Sequence, residues 1–141
     1  MIFSCRFFPS VSSMWEKMYA QEKNGMSYQE KHSFEYRHAE ARKIMTKYPE
    51  RVPIVCERHT RCTSIPSMDK HKFLVPADIT MGQFLYIIRR RIQIEANASI
   101  FLFTACGCIP PICTPVSTIY TTYKAEDGFL YLLYSSENAF G

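Results

Sequence analysis

Hydrophobic positions along the chain recur with two spacings, one of three to four residues and one of two residues. The spacing of three to four residues occurs first along the chain. Between residues 33 and 49 it is kept by Phe34, His38, Ala41, Met45 and Tyr48. This spacing predicts an amphipathic helix whose N-cap is Ser33. The helix is expected to end at Pro49, because proline cannot continue it.

Two further helices are predicted in the second half of the chain. Asp78 or Thr80 is suited to cap a helix that extends to about Ile94. Its predicted buried stripe is formed by Phe84, Leu85, Ile88 and Ile92. Three arginines at positions 89–91 complement the negative end of the helix dipole. A short helix is expected from Pro115 to about Lys124, since proline is favoured at the start of a helix.

Strands are predicted where β-branched and aromatic residues alternate or run together. Val52–Arg58 alternates, but Pro53 has no N–H to donate, so this strand lies at a sheet edge or begins at the proline. Lys72–Val75 is a second, short strand. The continuous apolar run Ile100–Thr104 is suited to the buried centre of a sheet, and Phe129–Tyr134 is the last strand.

The order of these elements indicates a fold of the α+β class. A strand hairpin, a crossover helix and further strands are typical of the β-grasp arrangement, in which one helix packs across a mixed sheet. We expect a flexible extension over residues 1–25, which ends in the turn signal Asn24-Gly25, and one globular domain over residues 26–141.

The composition fits a single domain. The chain has 141 residues, of which 47% are hydrophobic and 21% charged, so a multidomain enzyme and a disordered chain are both disfavoured. The longest apolar runs, Phe84–Ile88 and Ile100–Ile109, are well short of the roughly 20 residues that cross a bilayer. A net charge of +4 favours an acidic partner or an anionic surface. Motifs of nucleic-acid readers are absent, and no nucleic-acid partner is predicted.

The six cysteines bear on the cellular compartment and on metal binding. The six cysteines are Cys5, Cys56, Cys62, Cys106, Cys108 and Cys113. The start of the chain has no basic segment, and Arg6 and Pro9 interrupt its apolar stretch, so it does not read as a signal peptide. The thiols are therefore expected to be reduced, in the cytoplasm. Only the cysteines at 106, 108 and 113 approach zinc-ligand spacing, and no metal site or cofactor is predicted.

The sequence also lacks the residue patterns of an enzyme. Its five glycines form neither a phosphate-binding loop nor a dinucleotide fingerprint. Cys56 and His59 are an alternative, as a thiol and a base, but Cys56 falls on the apolar face of its strand, where cysteine is usually a small buried hydrophobe. We predict no catalytic residue and no enzymatic activity.

The last residue, Gly141, suggests a different role. A glycine carboxylate has no side chain beside it, so it fits narrow tunnels and can be activated and attacked with little steric hindrance. A β-grasp domain whose tail ends in glycine describes a ubiquitin-like modifier, here with an N-terminal helical extension.

From Met26 to Gly141 the chain resembles the autophagy ubiquitin-like modifiers, the microtubule-associated light-chain and GABA-receptor-associated type that is conjugated to phosphatidylethanolamine. The matching stretches are His32–Glu35, Lys47–Ile54, Asp69–Asp78 (DKHKFLVPAD), Gly82-Gln83-Phe84, Ile87–Arg91 (IIRRR) and Glu126–Tyr131 (EDGFLY).

The resemblance implies two pockets beside an edge strand. They hold the aromatic and the aliphatic residue of short W/F/Y-x-x-L/I/V motifs in cargo receptors and adaptors. The implied aromatic pocket is lined by Glu40, Ile44, Pro53, Val55, Lys72, Leu74 and Phe129. The implied aliphatic pocket is lined by Phe73, Val75, Pro76, Ile79, Phe84 and Ile87. Lys72 is expected to meet acidic residues that flank the motif, and Ile54–Arg58 is expected to offer backbone pairing.

The resemblance also implies how the protein reaches a membrane. A processing protease, an activating enzyme and a conjugating enzyme of the family act at the residue matched by Gly141, which is joined to phosphatidylethanolamine. The chain would then be cytoplasmic and, once lipidated, peripheral on autophagosomal membranes. The alternative is a non-conjugated protein that tethers microtubules or membranes through its basic face and N-terminal extension.

Three departures from the family pattern stand out. Phe73 replaces a tyrosine found in many members, and the connection from His59 to Met68 is longer by one residue. After the third strand, Thr104–Cys108 replaces an asparagine pair.

Overall fold

The computed structural model describes residues 26–62, 64–95 and 97–136. The predictions for residues 1–25 and for Gly141 lie outside these described residues. In chain order the elements are α1 (Tyr28–Lys31), α2 (Phe34–Lys47), β1 (Arg51–Arg58), β2 (Lys72–Pro76), α3 (Met81–Ile92), β3 (Phe101–Thr104), α4 (Val116–Tyr123) and β4 (Leu130–Ser135). The predicted order is confirmed, and α1 is an addition.

Local capping chemistry sets the helix starts. The Ser33 hydroxyl accepts the N–H of Tyr36 at 3.2 Å at the start of α2. At the start of α3, Thr80 and Gln83 form a reciprocal capping box. Pro115 occupies the N-cap of α4 without a side-chain hydrogen bond. Thr80, and not Asp78, is therefore the cap of α3.

The four strands form one mixed sheet in the order β2-β1-β4-β3. The strand β1 is antiparallel to β2 and parallel to β4, and β3 is antiparallel to β4. The mixed sheet agrees with the predicted β-grasp arrangement, and its two central strands, β1 and β4, are parallel. The two edges of the described sheet are β2 and β3.

Neither alternative predicted for Pro53 holds, because β1 lies between β2 and β4 and begins at Arg51. The expectation that Ile54–Arg58 offers backbone pairing to a partner is also wrong. Both sides of β1 are already paired, and Pro53 is tolerated for a local reason. The N–H of Cys56 points toward β2, where it bonds the carbonyl of His71 at 2.7 Å. Because backbone N–H groups alternate along an antiparallel pair, the nitrogen of Pro53 faces β4 instead. The ladder with β4 begins only at Ile54, so no hydrogen bond is lost.

The prediction that β3 occupies the sheet centre is also wrong. It is an edge strand, and Phe101 at its start is 37% exposed. Leu102 and Phe103 are nevertheless buried, at 5% and 0% exposure, although they point to opposite faces of the sheet. The apolar run thus indicates that both faces of β3 are covered. A strand at the sheet edge can be covered in this way, so the run does not show that β3 has a neighbouring strand on each side.

Apolar side chains are buried on both faces of the sheet and form two clusters. The larger cluster includes the buried residues of α3, which are Met81, Phe84, Ile87, Ile88 and Ile92. The smaller cluster is formed by Tyr28, Ala41, Ile44, Val55, Leu74 and Phe129. The predicted α3 stripe is therefore correct except that Ile87 is buried and Leu85 only partly so.

Of the five positions whose spacing predicted α2, only Ala41 is buried. Phe34 is 42% exposed, and the buried residues are Glu40, Ala41 and Ile44. Within the described part of the chain, no helix is long and apolar enough to cross a membrane.

Candidate functional site

The residues implied for an aromatic pocket come from four parts of the fold and lie on one face of the sheet. We call Glu40, Ile44, Pro53, Val55, Lys72, Leu74 and Phe129 the aromatic set. Helix α2 supplies two of them, β1 two and β2 two, and Phe129 directly precedes β4. Four members, Ile44, Val55, Leu74 and Phe129, pack in the smaller cluster. The structure therefore brings most of the set together.

An ion pair lies beside this cluster. The ammonium of Lys72 is 2.9 Å from Oε1 of Glu40, and their side chains are only 1% and 6% exposed. The Lys72 ammonium also lies 4.6 Å from the centre of the Tyr28 ring, a cation–π distance. The positive charge expected to meet an acidic partner is thus buried and neutralised within the chain in this state.

Tyr28 belongs to the site, although no sequence prediction included it. Its hydroxyl donates to Oε2 of Glu40 at 2.5 Å, and its ring meets Phe129 edge-on with centroids 5.4 Å apart. Burial, and then the hydrogen bond to Glu40, raise the pKa of Tyr28 well above its ordinary value. The signal that could have found it is the S-x-x-E sequence of Ser27 to Glu30, which forms a capping box and fixes α1.

An ion pair also fixes α2 against the turn before β4. The guanidinium of Arg37 bonds the buried carboxylate of Asp127 at 2.6 Å, and Asp127 in turn accepts the N–H of Phe129 at 2.9 Å. Tyr131 donates a hydrogen bond to the same carboxylate. This network sets the position of Phe129 relative to α2.

The residues implied for an aliphatic pocket, with the exception of Pro76, lie on the opposite face of the sheet. We call Phe73, Val75, Pro76, Ile79, Phe84 and Ile87 the aliphatic set. All of them except Pro76 belong to the larger cluster, at exposures of 7% or less. The rings of Phe73 and Phe84 meet edge-on at 5.5 Å, and the guanidinium of Arg91 lies 5.9 Å from the Phe73 ring. This set is contiguous and serves as core in the unbound chain.

The edge strand β2 separates the two sets. Lys72 and Leu74 belong to the aromatic set, and Phe73 and Val75 to the aliphatic set, as the alternation of a strand requires. Since β2 ends the described sheet and the backbone of His71 bonds β1, the backbone groups of Lys72 and Leu74 face away from β1. An extended peptide can pair there by strand addition.

The thiol and base alternative is not supported by the geometry. Cys56 is 0% exposed within the larger cluster. Burial, and then the charge of Glu57, raise the pKa of the Cys56 thiol well above its ordinary value. Such a thiol is neither accessible nor ionised. His59 is also buried, and its Nδ1 accepts the N–H of Arg61 at 3.1 Å.

Comparisons with known proteins agree on one family. The model of a family described as "Autophagy protein Atg8 ubiquitin like" matches residues 36–141. The chain is 49% identical over 114 residues to Autophagy-related protein 8 of Pichia angusta, covering 81% of this chain and 90% of that protein. It is 49% identical over 115 residues to Autophagy-related protein 8 of Mycosarcoma maydis, covering 82% and 96%. The crystal structure of Trypanosoma brucei ATG8 superimposes with a TM-score of 0.73 at 40% identity, covering 79% of this chain and 95% of that one.

Proposed function

Because the chain belongs to the Atg8 family of ubiquitin-like autophagy proteins, we propose that it is a modifier joined through Gly141 to phosphatidylethanolamine. In this proposal it is the substrate of a processing protease, an activating enzyme and a conjugating enzyme, and is not itself an enzyme. Lipidation holds it on autophagosomal membranes. There it binds cargo receptors and adaptors that carry W/F/Y-x-x-L/I/V motifs.

The proposed motif binding rests on one observation, which is that the aromatic and aliphatic sets meet the edge strand β2 on opposite faces. In an extended peptide, side chains alternate between faces, so residues separated by an odd number of positions point in opposite directions. The aromatic and aliphatic residues of the motif are three positions apart. A peptide paired with β2 can therefore direct one toward the Leu74 face and the other toward the Phe73 face.

Binding requires side chains to move. Ile44, Val55 and Phe129 are at most 2% exposed, so a motif ring needs room that the unbound cluster does not offer. The Lys72–Glu40 pair lies beside this cluster and can open by rotation of the lysine side chain. The ammonium then exchanges the Glu40 carboxylate for an acidic residue of the partner, which keeps the charge paired.

Reconstitution tests the conjugation half. The chain is incubated with the family's activating and conjugating enzymes, ATP and liposomes that contain phosphatidylethanolamine. We expect a lipidated form of the wild type and none of Gly141→Ala. A matched control, Gly25→Ala, changes a glycine that precedes the residues matched by the family model and is expected to be lipidated. Equal lipidation of the wild type and Gly141→Ala would refute conjugation at this residue.

Titration with peptides tests the binding half separately. The probe is a fluorescent peptide with an aromatic-x-x-aliphatic motif and acidic flanks. The control peptide contains one extra residue inside the motif, so its two anchors point to the same face. We expect at least about tenfold weaker binding of the control, and weaker binding of the motif peptide after Lys72→Ala or at high salt. Equal affinity for the two peptides would refute the two-face arrangement.

A further inference from the structure

The turn that follows β3 carries two thiols side by side. The Sγ atoms of Cys106 and Cys108 are 3.5 Å apart, a contact distance for two sulfur atoms. Both residues are exposed. Unlike the buried Cys56, this pair is open to small molecules in solution.

Backbone hydrogen bonds fix the turn. The N–H of Thr104 bonds the carbonyl of Cys108 at 2.8 Å, and the N–H of Gly107 bonds the carbonyl of Thr104 at 2.9 Å. Gly107, between the two cysteines, has a φ of +92°, a conformation that residues with a Cβ rarely adopt. The glycine allows the backbone to reverse so that both thiols lie on the same side. The juxtaposition is therefore a property of the turn and not of one side-chain rotamer alone.

The same turn supplies polar groups to the sulfur atoms. The Thr104 hydroxyl lies 3.1 Å from the Sγ of Cys106 and accepts the N–H of Cys108 at 3.1 Å. The Thr104 hydroxyl, followed by the backbone and thiol of Cys108, lowers the pKa of the Cys106 thiol. A thiolate is the attacking form in disulfide exchange, and the lowered pKa increases the fraction of Cys106 in that form.

A metal site is a weaker interpretation of this pair. Among the residues that the structure describes, no cluster of three or more His, Cys, Asp or Glu side chains could hold a metal ion. Two thiols alone leave a zinc ion two ligands short of its usual four. Formation of a disulfide needs only these two sulfur atoms and an external oxidant such as a small-molecule disulfide.

We propose that Cys106 and Cys108 form a redox dithiol that closes to an intramolecular disulfide on reaction with a small-molecule disulfide. In the first step the Cys106 thiolate attacks one sulfur of that disulfide, the S–S bond breaks, and one small thiolate leaves. In the second step the Cys108 thiolate attacks the Cys106 sulfur of the mixed disulfide and expels the other small thiolate. The protons of the two cysteines pass through solvent to the departing thiolates. The pair loses two electrons, and the small disulfide gains them.

This site is separate from the two sets of the proposed function, since it lies on the loop after β3, at the sheet edge opposite β2. An exposed bridge across a tight turn belongs to the disulfides that thiols reduce readily, so we expect the reaction to be reversible.

Alkylation and mass mapping after exposure to oxidised glutathione test the proposal. We expect the wild-type peptide with Cys106 and Cys108 to lose two hydrogens and to resist alkylation until it is reduced. Cys113 is also exposed and serves as the matched single thiol. It is expected to stop at a mixed disulfide with glutathione, and Cys113→Ser should leave closure of the pair unchanged.

The rate of the second step gives an independent readout. The mixed disulfide on Cys106 should disappear at least about tenfold faster in the wild type than in Cys108→Ser, because the second thiol is held in the same turn. Thermal unfolding of each variant checks that the fold is kept. Accumulation of stable mixed disulfides at both positions of the wild type, with no closed form, would overturn the proposal.

Discussion

The buried pair of Glu40 and Lys72 offers the sharpest test of how this face of the sheet is held together. The two groups are 2.9 Å apart, nearly inaccessible, and bridged to Tyr28 through Glu40. The perturbation is a double-mutant cycle with Lys72→Met, Glu40→Gln and the combination of both. Methionine keeps an unbranched side chain without the charge, and glutamine keeps the shape of glutamate.

The expected magnitudes follow from what each variant leaves behind. Breaking a buried pair from one side typically costs about 3–5 kcal/mol, because the remaining charge is desolvated without a partner. In Lys72→Met the Glu40 carboxylate keeps its bond from Tyr28, so we expect about 3 kcal/mol. Glu40→Gln removes the carboxylate that pairs with the ammonium at 2.9 Å and should cost about the same. The double variant carries neither charge and should cost only about 1 kcal/mol, which is about 5 kcal/mol less than the sum of the two single costs.

Urea unfolding at neutral pH measures these free energies, provided that the slope with denaturant is unchanged. Each single variant should also melt roughly 10 °C lower than the wild type. The exposed Lys43 provides the control, since Lys43→Met should change the stability by less than about 0.5 kcal/mol. Additive costs in the cycle, or single costs as small as those of an exposed pair, would refute the reasoning.

Further predictions concern other buried contacts. Tyr28→Phe removes the hydroxyl that Glu40 accepts and should cost about 2 kcal/mol in urea unfolding. Burial raises the pKa of Tyr134 from 10.0 to about 12. Its neutral form therefore stabilises the fold fully below pH 10.0, and this contribution is lost as the pH rises through 12. The wild type should lose stability more steeply than Tyr134→Phe over that range. Gly128→Ala should cost about 2 kcal/mol by the urea midpoint, because the glycine has a φ of +98° and a new Cβ would lie 3.0 Å from that of Ala41.

The positions of α2, α3 and α4 could be predicted from the sequence because their signals are local. Ser33, Thr80 and Pro115 each stand at a helix start, where their chemistry satisfies or avoids an unpaired backbone donor within four residues. The strands themselves could be located for a similar reason, since alternation is also local.

Strand order could not be predicted in the same way. Pro53 shows only that one backbone donor is missing. The sequence does not reveal that its nitrogen faces β4 at a position before the first paired residue, Ile54. The apolar residues of β3 show burial, and an edge strand covered on both faces has the same signature as a central one. Pairing partners far apart in the chain decide both questions.

The residues of the candidate site were reached through family resemblance, and the buried pair explains why periodicity misses them. A periodicity argument assigns apolar residues to the buried face of a helix, so it favours Phe34 and not the charged Glu40 for that face of α2. Glu40 is nevertheless buried, because Lys72, 32 positions later in the chain, supplies the opposite charge. The two charges meet only when α2 packs against β2, so the sequence of α2 or of β2 alone does not reveal the ion pair. A charged residue on a buried face therefore becomes interpretable only when its partner is known.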